Sequence, residues 1–127
     1  PFLVSSSVIA ILAQRLIRTL CSHCRKKYTA SEELLAQLNL EGSPKAFYKE
    51  AGCVQCKQYG YTGRAGIYEM LIPNENIRSL IARKASASMI AEEAVKSGMK
   101  TLRDAGLEKV VHGITSVSEL LRVTEEI

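Results

Sequence analysis

Apolar residues near the start of the chain recur every four positions. Three serines precede them and offer hydroxyl groups suited to capping the first turn of a helix. Gln14, Arg15 and Arg18 fall mainly on the opposite face of such a helix. The pattern predicts an amphipathic helix that runs from about residue 8 to residue 20 and ends as Cys21 is reached. Its apolar stripe consists of Val8, Leu12, Leu16 and Leu20.

The next segment, residues 21–60, has shorter apolar groups separated by turn residues. Thr29–Glu32 has the form of a capping box, and leucines at 34, 35 and 38 follow it, which predicts a short helix. Glu41–Pro44 should end that helix, and Phe47–Tyr48 predicts a short strand. This segment is thus expected to be a small lobe with little apolar material.

A stretch of aromatic, β-branched and glycine residues follows at 61–72. The mixture of these residue types predicts a strand that Pro73 and Asn74 end. Gly63 and Gly66 inside it indicate a bend or a close backbone approach. The strand or hairpin is the main β element that the sequence predicts outside the lobe.

Four short apolar stripes with helical spacing occupy the rest of the chain. Serine caps and glycine ends separate them, so we expect a terminal bundle of helices and an α+β fold that is mostly α. The stripes are Ile77, Leu80 and Ile81; Ile90, Ala94 and Val95 (after Ser86 or Ser88, before Gly98); Leu107, Val110 and Val111 (after Thr101–Asp104, before Gly113); and Leu120, Leu121 and Val123 (after Ser116–Glu119).

Composition is that of an ordinary globular chain. The 127 residues are 46% apolar and 24% charged with a formal net charge of +4, which argues against wholesale disorder and fits one domain or two small lobes. The longest apolar run, Val8–Ala13, is far too short for a membrane span, and no cleavable signal is evident. Pro1 is not an initiator residue, so we expect the chain to be a fragment.

The four cysteines form the strongest chemical signal. Cys21 and Cys24 make one C-x-x-C pair, Cys53 and Cys56 make another, and both pairs suit a closed tetrahedral zinc site. A metal would also supply the stability that a lobe of this size cannot obtain from apolar burial. Basic residues beside the pairs have the sign that compensates four thiolates on one dication: Arg25, Lys26, Lys27 and Lys57.

Three other uses of the cysteines remain open at this stage. A redox dithiol prefers a helix N-terminus, whereas the predicted helix would end at Cys21. Structural disulfides need an oxidising compartment, and an iron–sulfur cluster uses the same ligand type. We interpret the cysteines as a structural Zn²⁺ site without hydrolytic chemistry. His23 lies inside the first pair, and we interpret it as a solvated residue rather than a ligand.

Other candidate residues give weaker signals. The sequence contains neither G-x-x-x-x-G-K-S/T nor G-x-G-x-x-G, and no convincing nucleophile–base pair appears. No catalytic and no cofactor-binding residue is therefore assigned. His112 is interpreted as a surface or capping histidine. Arg64 is interpreted as an exposed strand arginine, with contact to a phosphate or a neighbouring subunit as the alternative.

The order of motifs resembles the C-terminal part of the ATPases that drive type II secretion and type IV pilus assembly. The resemblance covers nearly the whole chain and includes the closing run from Gly98 to Thr124. The motifs that carry it are Gln14–Cys21 with Cys24, then Gly52-Cys53 with Cys56, then Gly60-Tyr61, Gly63-Arg64 and Gly66–Glu69.

This resemblance implies a C-terminal piece of a RecA-like P-loop ATPase with an inserted tetracysteine lobe. Residues 1–20 would be the last strand and helix of the ATPase core, residues 21–60 the zinc lobe, and residues 61–127 a strand followed by a helical subdomain. The Walker residues that hold ATP and Mg²⁺ would lie upstream, so this chain alone is expected to be inactive. Retraction ATPases of the family lack the four cysteines, which favours a secretion or assembly motor.

The resemblance also implies a cellular setting. The parent would be a cytoplasmic hexamer, peripheral to the inner membrane, docked on the platform proteins of the secretion or pilus machinery, with no nucleic-acid partner. The alternative from the residues alone is a stand-alone zinc ribbon that binds nucleic acid. Sparse aromatic residues and scattered basic residues count against that alternative.

Overall fold

The computed structural model of the chain describes residue 7, residues 10–40 and residues 46–125. It confirms an α+β fold in which the strands, with one short helix among them, precede a run of helices. Among the described residues, no helix has the length and apolar character needed to span a bilayer. The elements are β1 (Ile11–Leu20), β2 (Lys26–Thr29), α1 (Glu32–Gln37), β3 (Ala46–Lys49), β4 (Tyr61–Leu71), α2 (Glu75–Ala82), α3 (Ala87–Lys96), α4 (Leu102–Val111) and α5 (Val117–Thr124).

Strand β1 corrects the first prediction. The amphipathic helix predicted up to residue 20 is wrong for residues 11–20, which form a strand beside β4 in a two-stranded sheet. A step of four residues returns to one face of a helix, but it also returns to one face of a strand because four is a multiple of two. Pairing with the long strand β4 decides in favour of the strand. The spacing of residues within one segment carries no information about such a distant partner. Val8 and the two serines before residue 7 lie outside the described residues.

Most other local predictions agree with the structure. Ser86 and Ser116 cap α3 and α5 as predicted. The short helix α1 is present, but the capping box predicted at Thr29–Glu32 is wrong, because Thr29 ends β2 and Ser31 is the cap. Each of the three serine hydroxyls accepts a hydrogen bond from the N–H three residues later. The strands predicted at Phe47–Tyr48 and at 61–72 are present as β3 and β4. The break expected at Glu41–Pro44 lies outside the described residues.

The chain divides into two compact units. One unit contains residues up to Gln14 together with Tyr68–Leu102, and the other contains Arg15–Ile67 together with Arg103–Ile127. In the first unit α2 packs on α3, and the Leu102 N–H donates to Glu69 Oε1 at 3.0 Å where α4 begins. The terminal helices are divided between the units, because α4 beyond Leu102 and all of α5 belong to the second unit. The terminal bundle expected from the sequence stays a prediction.

The second unit has its own apolar core. Strands β2 and β3 pair antiparallel with Tyr28 opposite Phe47, and those two rings meet edge to face at 6.2 Å between centroids. Gly106 of α4 lies so close to α5 that an added Cβ would stand 2.2 Å from Leu120 Cδ1. The fully buried apolar side chains of this unit include Ile17, Phe47, Ile67, Val110 and Leu120.

Candidate metal centre

The structure brings the four predicted ligands together. All four sulfur atoms lie within 4.8 Å of one another. The Sγ–Sγ distances are 3.8 Å for Cys21 and Cys53, 3.7 Å for Cys24 and Cys56, and 3.7 Å for Cys53 and Cys56. A tetrahedron with Zn–S bonds of about 2.3 Å has sulfur–sulfur edges of about 3.8 Å. The cluster therefore has the size that one tetrahedral ion requires.

Two turns present these sulfur atoms, and a backbone hydrogen bond joins the turns. Cys21 follows directly on the last residue of β1, and its carbonyl accepts from the Arg25 N–H at 3.0 Å. In the second turn the Cys53 carbonyl accepts from the Gln58 N–H at 2.8 Å. The Cys21 N–H donates to Gly60 O at 2.9 Å, so the first turn is fixed directly against the end of the second.

The same geometry changes one argument from the sequence. Cys21 follows a strand and not a helix, so no helix C-terminus disfavours a thiolate there. A redox dithiol is disfavoured instead because all four sulfur atoms lie within 4.8 Å of one another, where a dithiol needs only two.

Backbone N–H groups point at two of the sulfur atoms. Gly52 donates to Cys24 Sγ at 3.3 Å, and Gly60 donates to Cys56 Sγ at 3.2 Å. Both glycines have positive φ, +115° for Gly52 and +83° for Gly60, a conformation that disfavours side chains. A Cβ at Gly60 would also lie 2.5 Å from Glu50 Cβ. Such donors partly neutralise thiolates and orient them toward a cation.

The surrounding protein groups shift the pKa values of two of the thiols in opposite directions from the ordinary value. Burial raises the pKa of Cys56, but the N–H groups of Gly60 and Cys53 outweigh it and lower that pKa to about 6. The Gly52 N–H lowers the pKa of Cys24, yet desolvation and the neighbouring sulfurs raise it to about 11. Four adjacent thiols cannot all ionise without a positive charge among them, which is what a divalent metal supplies.

The arrangement separates the alternatives. The four cysteines are free, and Sγ–Sγ distances near 3.7 Å are far from the disulfide bond length of about 2 Å. A multi-iron cluster would stand between the sulfurs and hold them farther apart than one ion does. Four thiolates fill a tetrahedral zinc completely, so the site suits a structural role rather than activation of water. A single iron ion shares this geometry.

The neighbouring basic residues divide into two groups. Lys26, Lys27 and Lys57 are exposed. Arg25 is half-buried, and its guanidinium stacks on the Tyr48 ring at 4.1 Å from the centroid. Of the four basic residues predicted to compensate the thiolates, Arg25 is therefore the one whose side chain is held in position by a packing contact.

The remaining candidates lie at the surface. His23 is exposed and is not part of the sulfur cluster among the described residues. His112 is exposed, and its Nδ1 lies 2.7 Å from Glu108 O, as expected for a surface histidine at a helix end. Arg64 is exposed on β4 next to Gly63, whose φ of +73° marks the bend predicted there. Contact of Arg64 with a phosphate or a subunit stays a prediction.

The sequence pattern did not predict that the carboxylate of Glu119 is buried. Its side chain is fully buried and accepts hydrogen bonds from the Arg18 N–H at 2.8 Å, from the Arg18 guanidinium, and from Arg122 Nε at 2.8 Å. Burial alone raises the pKa of Glu119, but the bonds from Arg122 and Arg18 outweigh it and lower that pKa to about 2. The capping-box pattern at Ser116–Glu119 was the only local signal.

Comparison with known proteins assigns the family. The sequence model of the type II/IV secretion system protein family matches residues 1–122. The chain is 43% identical over 127 residues to type II secretion system protein E of Pseudomonas aeruginosa, and 40% identical over 127 residues to type II secretion system ATPase E of Vibrio cholerae. Both alignments cover 99% of the chain and 25% of the relative.

A pilus protein is equally similar. The chain is 41% identical over 129 residues to the type IV pilus assembly ATPase PilB of Thermus thermophilus, with 99% of the chain and 14% of the relative covered. The chain thus spans a quarter or less of the length of these relatives. Because the family model matches nearly the whole chain, the protein belongs to the type II/IV secretion system protein family.

Proposed function

We propose that this chain is the zinc-binding C-terminal portion of a hexameric ATPase that powers type II secretion or type IV pilus assembly. The observation that carries the proposal is the cluster of four sulfur atoms in a chain 37–43% identical to secretion and pilus proteins. Those relatives favour a motor component over a stand-alone zinc ribbon that binds nucleic acid. Within such a motor, residues 1–20 would complete the ATPase core.

Zinc would act here as a structural ion. Cys21, Cys24, Cys53 and Cys56 would hold it, and its positive charge would allow all four thiols to ionise together. The ion would thereby fasten the two turns and the short β2–β3 sheet between them. ATP and Mg²⁺ would bind to residues upstream, because this sequence contains no phosphate-binding loop.

The lobe of residues 21–60 is proposed as a docking module. A lobe fixed by a metal keeps its shape with few contacts to the rest of a protein, and so it can serve as a rigid attachment point. Its partners would be the platform proteins of the inner membrane, with the motor in the cytoplasm and peripheral to that membrane. Exposed lysines on β2 and Val54, which is 84% exposed, give the lobe surface for such contacts.

The test uses the full-length protein in cells that lack their own copy. Cys24→Ser removes a ligand, and His23→Ser is the matched control one residue away, exposed and outside the cluster. We expect the Cys24 variant to bind less than half an equivalent of zinc, to leave the membrane fraction and to lose secretion or piliation, whereas the control keeps all three. A zinc-free Cys24 variant that stays on the membrane and supports transport would contradict the docking role.

A further inference from the structure

The turn between α4 and α5, residues 112–116, is attached to the strand that leads into the metal site. The Leu20 N–H donates to Ile114 O at 2.8 Å, and Thr115 Oγ1 donates to Arg18 O at 2.7 Å. Thr115 is fully buried. The α4–α5 turn therefore rests on the last residues of β1, immediately before the first cysteine.

Arg25 connects the metal site to the α4–α5 turn a second time. It follows Cys24 directly, and its Nη1 donates to Gly113 O at 2.6 Å while the guanidinium stacks on Tyr48. The contact is close, since a Cβ at Gly113 would lie 2.7 Å from Arg25 Nη1 and 2.8 Å from Tyr48 Cδ2. Gly113 also has φ of +75°, so both the turn and the contact favour glycine.

Tyr61 supplies a third connection, from the other cysteine pair. Its hydroxyl donates to Glu50 Oε2 at 2.6 Å and lies 2.6 Å from Ser116 Oγ, which caps α5. Tyr61 follows Gly60, whose N–H donates to Cys56 Sγ. Both cysteine turns are thus connected to the α4–α5 turn. The first is connected through Arg25, which follows the ligand Cys24, and the second through Tyr61, which follows the donor Gly60.

We propose that metal binding at the four cysteines positions the α4–α5 turn, with Arg25 as the positioning residue that couples them. The ion holds Cys24, which aims Arg25 at Gly113 and Tyr48. Without the ion, the first turn loses its fixed geometry, and the charged hydrogen bond to Gly113 O is lost with it. Because coupling between two sites is reciprocal, loss of the Arg25 contact must also lower the affinity for the metal. Such losses of affinity among variants of one site lie mostly in the dissociation rate, so we expect faster release of the metal.

This inference rests on the proposed zinc site, but it concerns a different property of the chain. A structural ion that stabilised the lobe alone would leave the α4–α5 turn unchanged on removal. The proposed coupling makes that turn sensitive to the metal through identified contacts. It would let the state of the lobe reach the C-terminal helix α5.

The experiment measures zinc release and hydrogen exchange rather than activity. Protein purified with its zinc is mixed with an excess of a coloured chelator, and release is followed for wild type, Arg25→Met, Arg25→Lys and Lys26→Met. Lys26→Met is the matched control because it removes one positive charge from the next residue, which is exposed. Far-UV circular dichroism checks that each variant is folded.

We expect Arg25→Met to release zinc about tenfold faster than wild type, since a charge-assisted hydrogen bond and a stacking contact are lost. Arg25→Lys should fall between the two because lysine keeps the charge but not the planar donor, and it carries the test if the methionine variant does not fold. Lys26→Met should release zinc within about twofold of wild type. Equal rates for the Arg25 and Lys26 variants would overturn the coupling.

Hydrogen exchange separates the coupling from the zinc site itself. In wild type, removal of zinc should increase exchange in peptides covering residues 112–120, and in Arg25→Met this increase should already be present with zinc bound. One zinc per chain together with unchanged exchange at residues 112–120 on its removal overturns the coupling alone. A purified chain without zinc overturns both the coupling and the proposed site.

Discussion

Replacement of Glu119 by glutamine tests the ion-pair network that this carboxylate forms with Arg18 and Arg122. The substitution keeps the shape of the side chain but removes its charge and places an amide N–H₂ where an arginine donor lies. Arg18 and Arg122 are 47% and 59% exposed, so both can hydrate when the carboxylate is gone. The cost should therefore come from Glu119 itself and not from stranded cations.

The magnitude follows from the pKa of Glu119. That pKa is lowered from 4.5 to about 2 in the folded protein, and each unit corresponds to about 1.4 kcal/mol. Ionised Glu119 therefore contributes about 3 kcal/mol to the free energy of unfolding at pH 7. Because the folded pKa is the lower one, this stability is complete above pH 4.5 and is lost as the pH falls toward 2.

The assay is urea unfolding of wild type and Glu119→Gln, with Glu108→Gln as control because Glu108 is exposed in the same unit. We expect a difference of about 3 kcal/mol at pH 7 and at pH 5, reduced to about half at pH 3, and a difference of less than about 0.5 kcal/mol for the control. Using differences removes the effect of acid on the cysteines, which both proteins share. A Glu119→Gln variant as stable as wild type at pH 7, or a difference that does not shrink at pH 3, would refute the reasoning.

Three further outcomes follow from the structure. Gly60→Ala should weaken zinc binding by about 10–100-fold, because the added Cβ meets Glu50 and displaces the N–H donor to Cys56; Gly98→Ala, at φ +101° with open space around it, is the control, and competition with a chelator measures both. Gly106→Ala should lower the free energy of unfolding by about 1–3 kcal/mol in urea, since α4 cannot move away from Leu120 without loss of packing; an unchanged midpoint would contradict that contact. Chelation of the metal should abolish exchange protection in β2 and β3, and retained protection would show that the sheet holds without an ion.

The ligand set could be predicted from the sequence because its information is local and chemical. Two C-x-x-C pairs limit the geometry strongly, and the 28 positions between Cys24 and Cys53 cost little to close, since closure entropy grows only logarithmically. The same applies to α3 and α5, whose serine caps and apolar stripes lie within a few residues of one another. These features need no knowledge of distant contacts.

The failures concern distant partners. The four-residue spacing in β1 fits a helix and a strand equally, and only the neighbouring β4 decides between them. Glu119 and Arg18 are separated by 101 positions, so a capping pattern gave no sign of a buried ion pair.

Elemental analysis and X-ray absorption at the metal edge of the purified chain measure the central feature most directly. The convergence of Cys21, Cys24, Cys53 and Cys56 predicts one zinc per chain, four sulfur neighbours at about 2.3 Å, and thiols that react with a thiol reagent only after a chelator is added. An ordered chain with no metal, with iron in place of zinc, or with nitrogen or oxygen neighbours at the ion would contradict the account.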